Sequence, residues 1–181
     1  LMSRHGISIN EARTIVRTNT TVIAALMVKR KEADAMLCGA TGRYTDHLPH
    51  LFRIIGLKPE VSRAASMSML ILASGIYFLV DPYVNPGPTA EQIADFTVLA
   101  AQEVRRFGIT PKAALLSHSN FGSSNRPTAR KMRDAVNLIR KLDPKLEVDG
   151  EMHAETALSE ELRANLISDS PLTGTANLLV M

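Results

Sequence analysis

The residues best equipped for chemistry lie at positions 113 to 124, AALLSHSNFGSS, an apolar run that stops in a small, polar, glycine-containing loop. Ser117, Ser119, Ser123 and Ser124 bring hydroxyls, Asn120 an amide, and Gly122 a backbone that a ligand can approach closely. A basic amphipathic segment, 126–141, follows. An apolar strand feeding a helix through such a loop leaves backbone N–H groups and the helix N-terminus free, which is a physical basis for holding a phosphate-bearing ligand. The loop lacks the lysine and the spacing of a nucleotide P-loop, so an ATP or GTP site of that kind is not supported. The alternative is an ordinary capped turn between strand and helix.

Two further clusters come with alternatives of their own. Gly39-Ala40-Thr41-Gly42-Arg43-Tyr44 puts a flexible backbone at the end of an apolar run, followed by an arginine able to fork onto phosphate oxygens. Asp149-Gly150-Glu151-Met152-His153 sets two carboxylates and an imidazole side by side, suited to acid or base chemistry or to capping the next helix. His47, His50, His118 and His153 show no spacing that pairs two of them on one helix face beside a carboxylate, so no metal site is expected. Cys38, within an apolar run, reads as a small core residue rather than a nucleophile. No triad of nucleophile, base and orienting acid can be picked out, and no catalytic residue is assigned.

Elements must position these groups. Helical spacing of apolar residues predicts helices over 9–17, with Asn10 as N-cap, and over 20–31. Residues 33–38 read as a buried strand, 39–42 as the loop after it, and 46–55 as a helix stopped by Gly56. Residues 66–72 and 76–80, joined by Ala73-Ser74-Gly75, predict a hairpin. Three prolines and a glycine make 81–88 a loop, after which Thr89 caps a helix over 90–107 that ends at Gly108. Strands over 112–117 and 145–148 flank a helix over 127–142. A helix over 156–166, a turn over 169–174 and an apolar run at 178–181 complete the chain. Alternating strands and helices predict an α/β fold, a layered sheet with helices on both faces. Loops 39–44, 117–124 and 149–153 fall at carboxyl ends of strands, where such sheets bind ligands, and one shared edge would make them one cleft.

Composition narrows the function. The chain of 181 residues is 45% hydrophobic and 22% charged, a globular balance. Its longest apolar runs, 22–28 and 70–73, are far shorter than the roughly 20 residues of a bilayer span. No charged-then-apolar signal opens the chain, and the single Cys38 cannot form an internal disulfide, so a cytoplasmic location is expected. A net charge of +3 spread among acidic residues, no tryptophan and 4% aromatics disfavour nucleic-acid binding. Leu1 before Met2 and the apolar end at Met181 read as a piece of a larger protein.

The blocks ADAMLCGATGRY, DPYVNPGPTAEQIAD, VRRFGITPKAALLSHSNFGSS, LEVDGEMHAETAL and LTGTANLLVM resemble, in order, those of the phosphotransacetylase family. The resemblance covers nearly the whole chain and is greatest to the phosphotransacetylase-like C-terminal domain of bacterial NADP-dependent malic enzymes. It implies a two-lobed α/β domain of the isocitrate/isopropylmalate dehydrogenase-like kind, with 1–56 in a first lobe and 57–181 mostly in a second. It also implies a homo-oligomer, a dimer or larger, with acetyl-CoA or an acyl phosphate bound between lobes. In active members coenzyme A attacks acetyl phosphate as a thiolate, assisted by phosphate-binding arginines and an acidic base.

Two departures follow from the same resemblance. The family's arginine after the first glycine loop falls at Pro49, and its catalytic Ser-Arg and acidic residues belong beyond Met181. SHSNFGSS stands where active enzymes have a Ser-Thr-Lys-Gly-Ser loop. The malic-enzyme branch implies a regulatory domain whose bound acetyl-CoA inhibits malate oxidation and decarboxylation to pyruvate elsewhere in the protein. NADP and Mg or Mn would sit in that other part, and this chain would hold no cofactor. The candidate ligand contacts are Gly39, Thr41, Arg43, Ser117, Ser119, Asn120, Phe121, Gly122, Ser123 and Glu151. Of these, Ser119, Asn120, Gly122 and Ser123 would donate to phosphate or acyl oxygens and Arg43 would neutralise phosphate charge. The alternatives are an active phosphate acetyl/butyryltransferase, and an oligomerisation scaffold built on the helix over 90–107 and the hairpin over 66–80.

Overall fold

A computed structural model of the chain describes residues 6–59 and 61–181, which fall into two compact units, Leu1–Ser62 and Arg63–Met181. In the first unit, helices α1 (Ile9–Thr18), α2 (Thr20–Lys29) and α3 (Tyr44–Ile54) pack around Val22, Ala25 and Ile54. Ser8, not the expected Asn10, caps α1: its hydroxyl accepts the Glu11 N–H at 3.2 Å from an extended backbone, and Asn10 already lies in the helix. Asn19 ends α1 through its N–H to the Ile15 carbonyl and starts α2 by accepting the Val22 N–H at 3.0 Å.

The strand expected over 33–38 is absent among the described residues. The segment is irregular, with a bend at Asp34, and pairs with no described strand, and Leu37 and Cys38 are exposed. A strand needs a neighbouring backbone to satisfy its N–H and C=O groups, and apolar content alone does not supply one. Cys38 is therefore not the core residue its neighbours suggest.

The second unit carries a sheet of β1 (Met67–Leu72), β2 (Gly75–Val80), β3 (Lys112–Leu116), β4 (Glu147–Met152) and β5 (Leu178–Val180) in the order β1-β2-β5-β3-β4. The hairpin is present as expected, with Met67 opposite Val80 and Leu72 opposite Gly75, and the remaining neighbours are parallel. Helices α4 (Ala90–Arg106), α5 (Pro127–Leu142), α6 (Ala154–Leu158) and α7 (Glu160–Leu166) complete it. Alternation along the strands divides the core. Phe78, Val80, Ala113, Leu115, Val148, Leu178 and Val180 face α4 and α5, whereas Ala114, Leu179 and Met152 pack with Ala157, Leu172 and Ala176 on the other side. Among the described residues no helix is long and apolar enough to cross a membrane.

Local sequence sets the ends of these elements. Thr89 and Gln92 cap α4 reciprocally, each side-chain oxygen accepting the other's backbone N–H at 3.3 and 3.0 Å. Its own backbone N–H and the Thr89 hydroxyl hold the Glu91 carboxyl below the usual carboxylate range. Asp81 fixes the proline loop by accepting from Ser66, Val84 and Asn85. The single helix expected over 156–166 is two. Ser159 takes an extended conformation (φ −121°, ψ 112°) and its hydroxyl caps α7 by accepting the Leu162 N–H, a local bond that competes with helix continuation.

Candidate functional site

The strand expected over 145–148 continues to Met152, so Asp149, Gly150 and Glu151 belong to β4 rather than to a loop beyond it. Leu115 pairs with Gly150 and Leu116 with Met152, which leaves Glu151 as the extra residue of a β-bulge. Only glycine fits before it. A Cβ on Gly150 would stand 2.7 Å from the Leu115 carbonyl oxygen, and the residue has φ +145°. Gly150→Ala is expected to destabilise the unit by about 1–3 kcal/mol, the usual cost of overpacking, read as a lower midpoint in urea.

The bulge sets the Glu151 carboxylate under the loop that follows β3. Its Oε1 accepts from the Ser119 hydroxyl at 2.8 Å, the Gly122 N–H at 3.1 Å and Arg133 Nη1 of α5 at 2.8 Å. Its Oε2 is buried and meets no donor. The Glu151 backbone carbonyl takes the Phe121 N–H at 2.7 Å, and Arg133 Nη1 also donates to the Ser124 carbonyl at 3.1 Å. Phe121 sits in the left-handed region at φ +42° while its side chain packs on the core of Ala114, Met152 and Leu179, so the loop is fixed at some backbone cost.

These bonds change the expected roles. The N–H groups of Asn120, Phe121, Gly122 and Ser123 are spent inside the loop or on Glu151, rather than left open for phosphate. Ser119 and Glu151, expected to touch ligand, are 4% and 0% exposed and bond to each other. The Asn120 amide oxygen accepts the His153 N–H at 2.7 Å. Left on the outer side are the hydroxyls of Ser117, Ser123 and Ser124 and the ring of His118, whose nitrogens lie 3.4 Å from Ser117 Oγ and 3.3 Å from Ser124 Oγ. Sequence reasoning missed Arg133 and the bridging role of His118.

In the first unit, Gly39 and Thr41 join Thr20, Thr21, Cys38 and His47 around a cavity of about 190 Å³. His47 ties two of the lining residues together, Nδ1 lying 2.7 Å from Thr21 Oγ1 and Nε2 2.9 Å from the Thr41 carbonyl. The carbonyl can only accept, so Nε2 carries the proton and the Thr21 hydroxyl donates to Nδ1 when the ring is neutral. Arg43 does not line this cavity. It precedes α3, exposed, with Nε 3.5 Å from Asp46. Pro49 lies within α3. Thus Ser117, Ser119, Asn120, Phe121, Gly122, Ser123 and Glu151 gather in one unit, and Gly39, Thr41 and Arg43 belong to the other. Among the described residues no group of three or more His, Cys, Asp or Glu side chains forms a metal site.

Comparison with known proteins agrees with this architecture. The chain is 56% identical over 180 residues to an NAD-dependent malic enzyme of Rhizobium meliloti (strain 1021), matching 99% of the chain and 23% of that protein. It is 48% identical over 181 residues to the NADP-dependent malic enzyme of Escherichia coli (strain K12), matching 100% of the chain and 24% of that protein. It thus spans about a quarter of the length of these relatives. A phosphotransacetylase from Streptococcus pyogenes superposes with a TM-score of 0.85 at 32% identity, over 96% of this chain and 53% of that one. The sequence profile of phosphate acetyl/butaryl transferases matches residues 1–181. The chain belongs to the phosphate acetyl/butaryl transferase family.

Proposed function

We propose that this chain is the phosphotransacetylase-like domain of a malic enzyme, and that it binds acetyl-CoA or a similar CoA ester without transferring the acyl group. The observation that carries the reading is the difference in identity: 56% to a malic enzyme against 32% to the superposed phosphotransacetylase. The site supports the absence of transfer. The one wholly buried carboxylate under the loop is paired with Arg133 through Oε1, and its unpartnered Oε2 is shut away from solvent, which keeps it from a thiol at the surface. Phe121 stands where the family resemblance puts a lysine.

Binding regulates a malate oxidation and decarboxylation carried elsewhere in the protein, provided the ligand favours one arrangement of the assembly over another. The nicotinamide cofactor, for which both NAD- and NADP-dependent relatives exist, and a divalent metal belong to that other part. A second copy as partner is supported by the hairpin, where Ile71 is 71% and Leu72 55% exposed on an edge strand. A cytoplasmic setting belongs to the same reading.

The test is an assay of the full-length protein with acetyl phosphate and coenzyme A. No acetyl-CoA forms above the uncatalysed rate if the reading holds. Catalysed formation would replace it with an active phosphate acyltransferase.

A further inference from the structure

We propose that Arg133 is an oxyanion-binding residue of the 117–124 loop, presenting the open Nε/Nη2 edge of its guanidinium to two oxygens of one phosphate group, with Glu151 as the residue that orients it. The proposal rests on the CoA-ester reading above and names the residue that reads its phosphate.

Nη1 is held at 2.8 Å by Glu151 Oε1 and at 3.1 Å by the Ser124 carbonyl. Nη1 lies on the Cδ side of the planar guanidinium, so the Nε and Nη2 hydrogens run parallel along the opposite edge. No described group meets either of them. The side chain is 26% exposed, and neither Nε nor Nη2 is a buried unpartnered atom, so this edge meets solvent.

The other arginines near β4 and α7 differ. Arg140 commits its Nη2 to Asp149 and the Val148 carbonyl, and Arg163 gives both terminal nitrogens to carbonyls while 1% exposed. Arg126 is exposed, with no anchoring bond. Arg133 alone among these four is fixed at one nitrogen and open along a two-donor edge.

Two parallel N–H groups match two oxygens on one phosphorus, and a single carbonyl would leave one donor unused. The hydroxyls of Ser117, Ser123 and Ser124 lie on the same loop and add neutral donors. The Glu151 carboxylate offsets much of the guanidinium charge, so recognition depends on the fork rather than on net charge. A lysine cannot reproduce it.

Acetyl-CoA, acetyl phosphate and inorganic phosphate, titrated separately into the full-length wild type and its Arg133→Lys and Arg133→Met variants, test the proposal. Expected is a 10- to 100-fold loss of affinity in both variants, roughly the loss of one to two charge-assisted hydrogen bonds. The ligand that suffers it tells whether CoA or acyl phosphate supplies the oxyanion. Glu151→Gln keeps an acceptor for Nη1 and retains most of the affinity. Wild-type affinity in Arg133→Lys would overturn the proposal and leave the CoA-ester reading standing, whereas a wild type that binds none of the three overturns both. In wild type the Arg133 Nε–H resonance shifts on saturation with the ligand that binds. A resonance that stays in place also overturns the proposal, independently of how the variants fold.

Discussion

Replacing Glu151 with leucine is expected to lower the stability of the second unit by about 3–5 kcal/mol and to abolish measurable ligand binding at the 117–124 loop. Leucine is near enough in size to fill the space, so the loss comes from the donors it strands. The Ser119 hydroxyl is buried, the Gly122 N–H points at the missing oxygen, and Arg133 keeps its charge with no counterion. The stranded Ser119 hydroxyl and Gly122 N–H each cost about 1–3 kcal/mol where they are shut off from water, and Arg133, open to solvent along one edge, adds the loss of its counterion. Glutamine retains an oxygen for the three donors and should cost about 1–2 kcal/mol. Urea unfolding measures both, and a Glu151→Leu protein within about 1 kcal/mol of wild type would show that this carboxylate does not hold the loop.

Arg163→Met is expected to be comparably costly, about 3–5 kcal/mol, for a different reason. Arg163 is 1% exposed and donates to the carbonyls of Thr156, Ala157, Leu172 and Gly174, and among the described residues no carboxylate pairs with it. A hydrophobic residue can replace a buried ion pair harmlessly when both partners leave together. Here the partners are backbone groups that no substitution removes, and four carbonyls each lose a donor, that of Ala157 keeping the Ala176 N–H. The consequence reaches the middle of the sheet. The turn that Arg163 ties runs through Ala176, whose N–H bonds the Ala157 carbonyl at 3.0 Å, into β5 between β2 and β3. Arg163→Lys, with three donors on one nitrogen, falls between the two. Amide exchange at 172–180 should accelerate along with the drop in midpoint. Unchanged protection there would mean that the turn is held by other contacts.

Much of the second unit was legible because its signals are local. The apolar runs of β2 and β3, the Ala73-Ser74-Gly75 connection and the Thr89 cap each act within a few residues. The 113–124 segment also emerged, because a polar, glycine-containing stretch between a strand and a helix is a local pattern. What depended on distant partners did not emerge. Residues 33–38 have the apolar content of a strand whether or not a neighbour pairs with them. The bulge at Glu151 exists only in register against Leu115 and Leu116, so the segment 149–153 read as a loop. Ser159 breaks a helix whose apolar spacing continues through it.

Arg133 left a trace that was readable in principle. With Arg140 it interleaves with buried Ala129 and Val136 along one row of α5, where an arginine must find a partner inward. Those partners are Glu151 and Asp149, two residues apart on β4. The pattern identifies charges that face the sheet, but which carboxylates they meet depends on how α5 lies over β4.

Isothermal titration of acetyl-CoA into the full-length protein, with malate oxidation assayed at each ligand concentration, tests the central claim most directly. The account predicts saturable binding with a fall in malate oxidation that follows occupancy. Absence of binding, or binding that leaves malate oxidation unchanged, would contradict it.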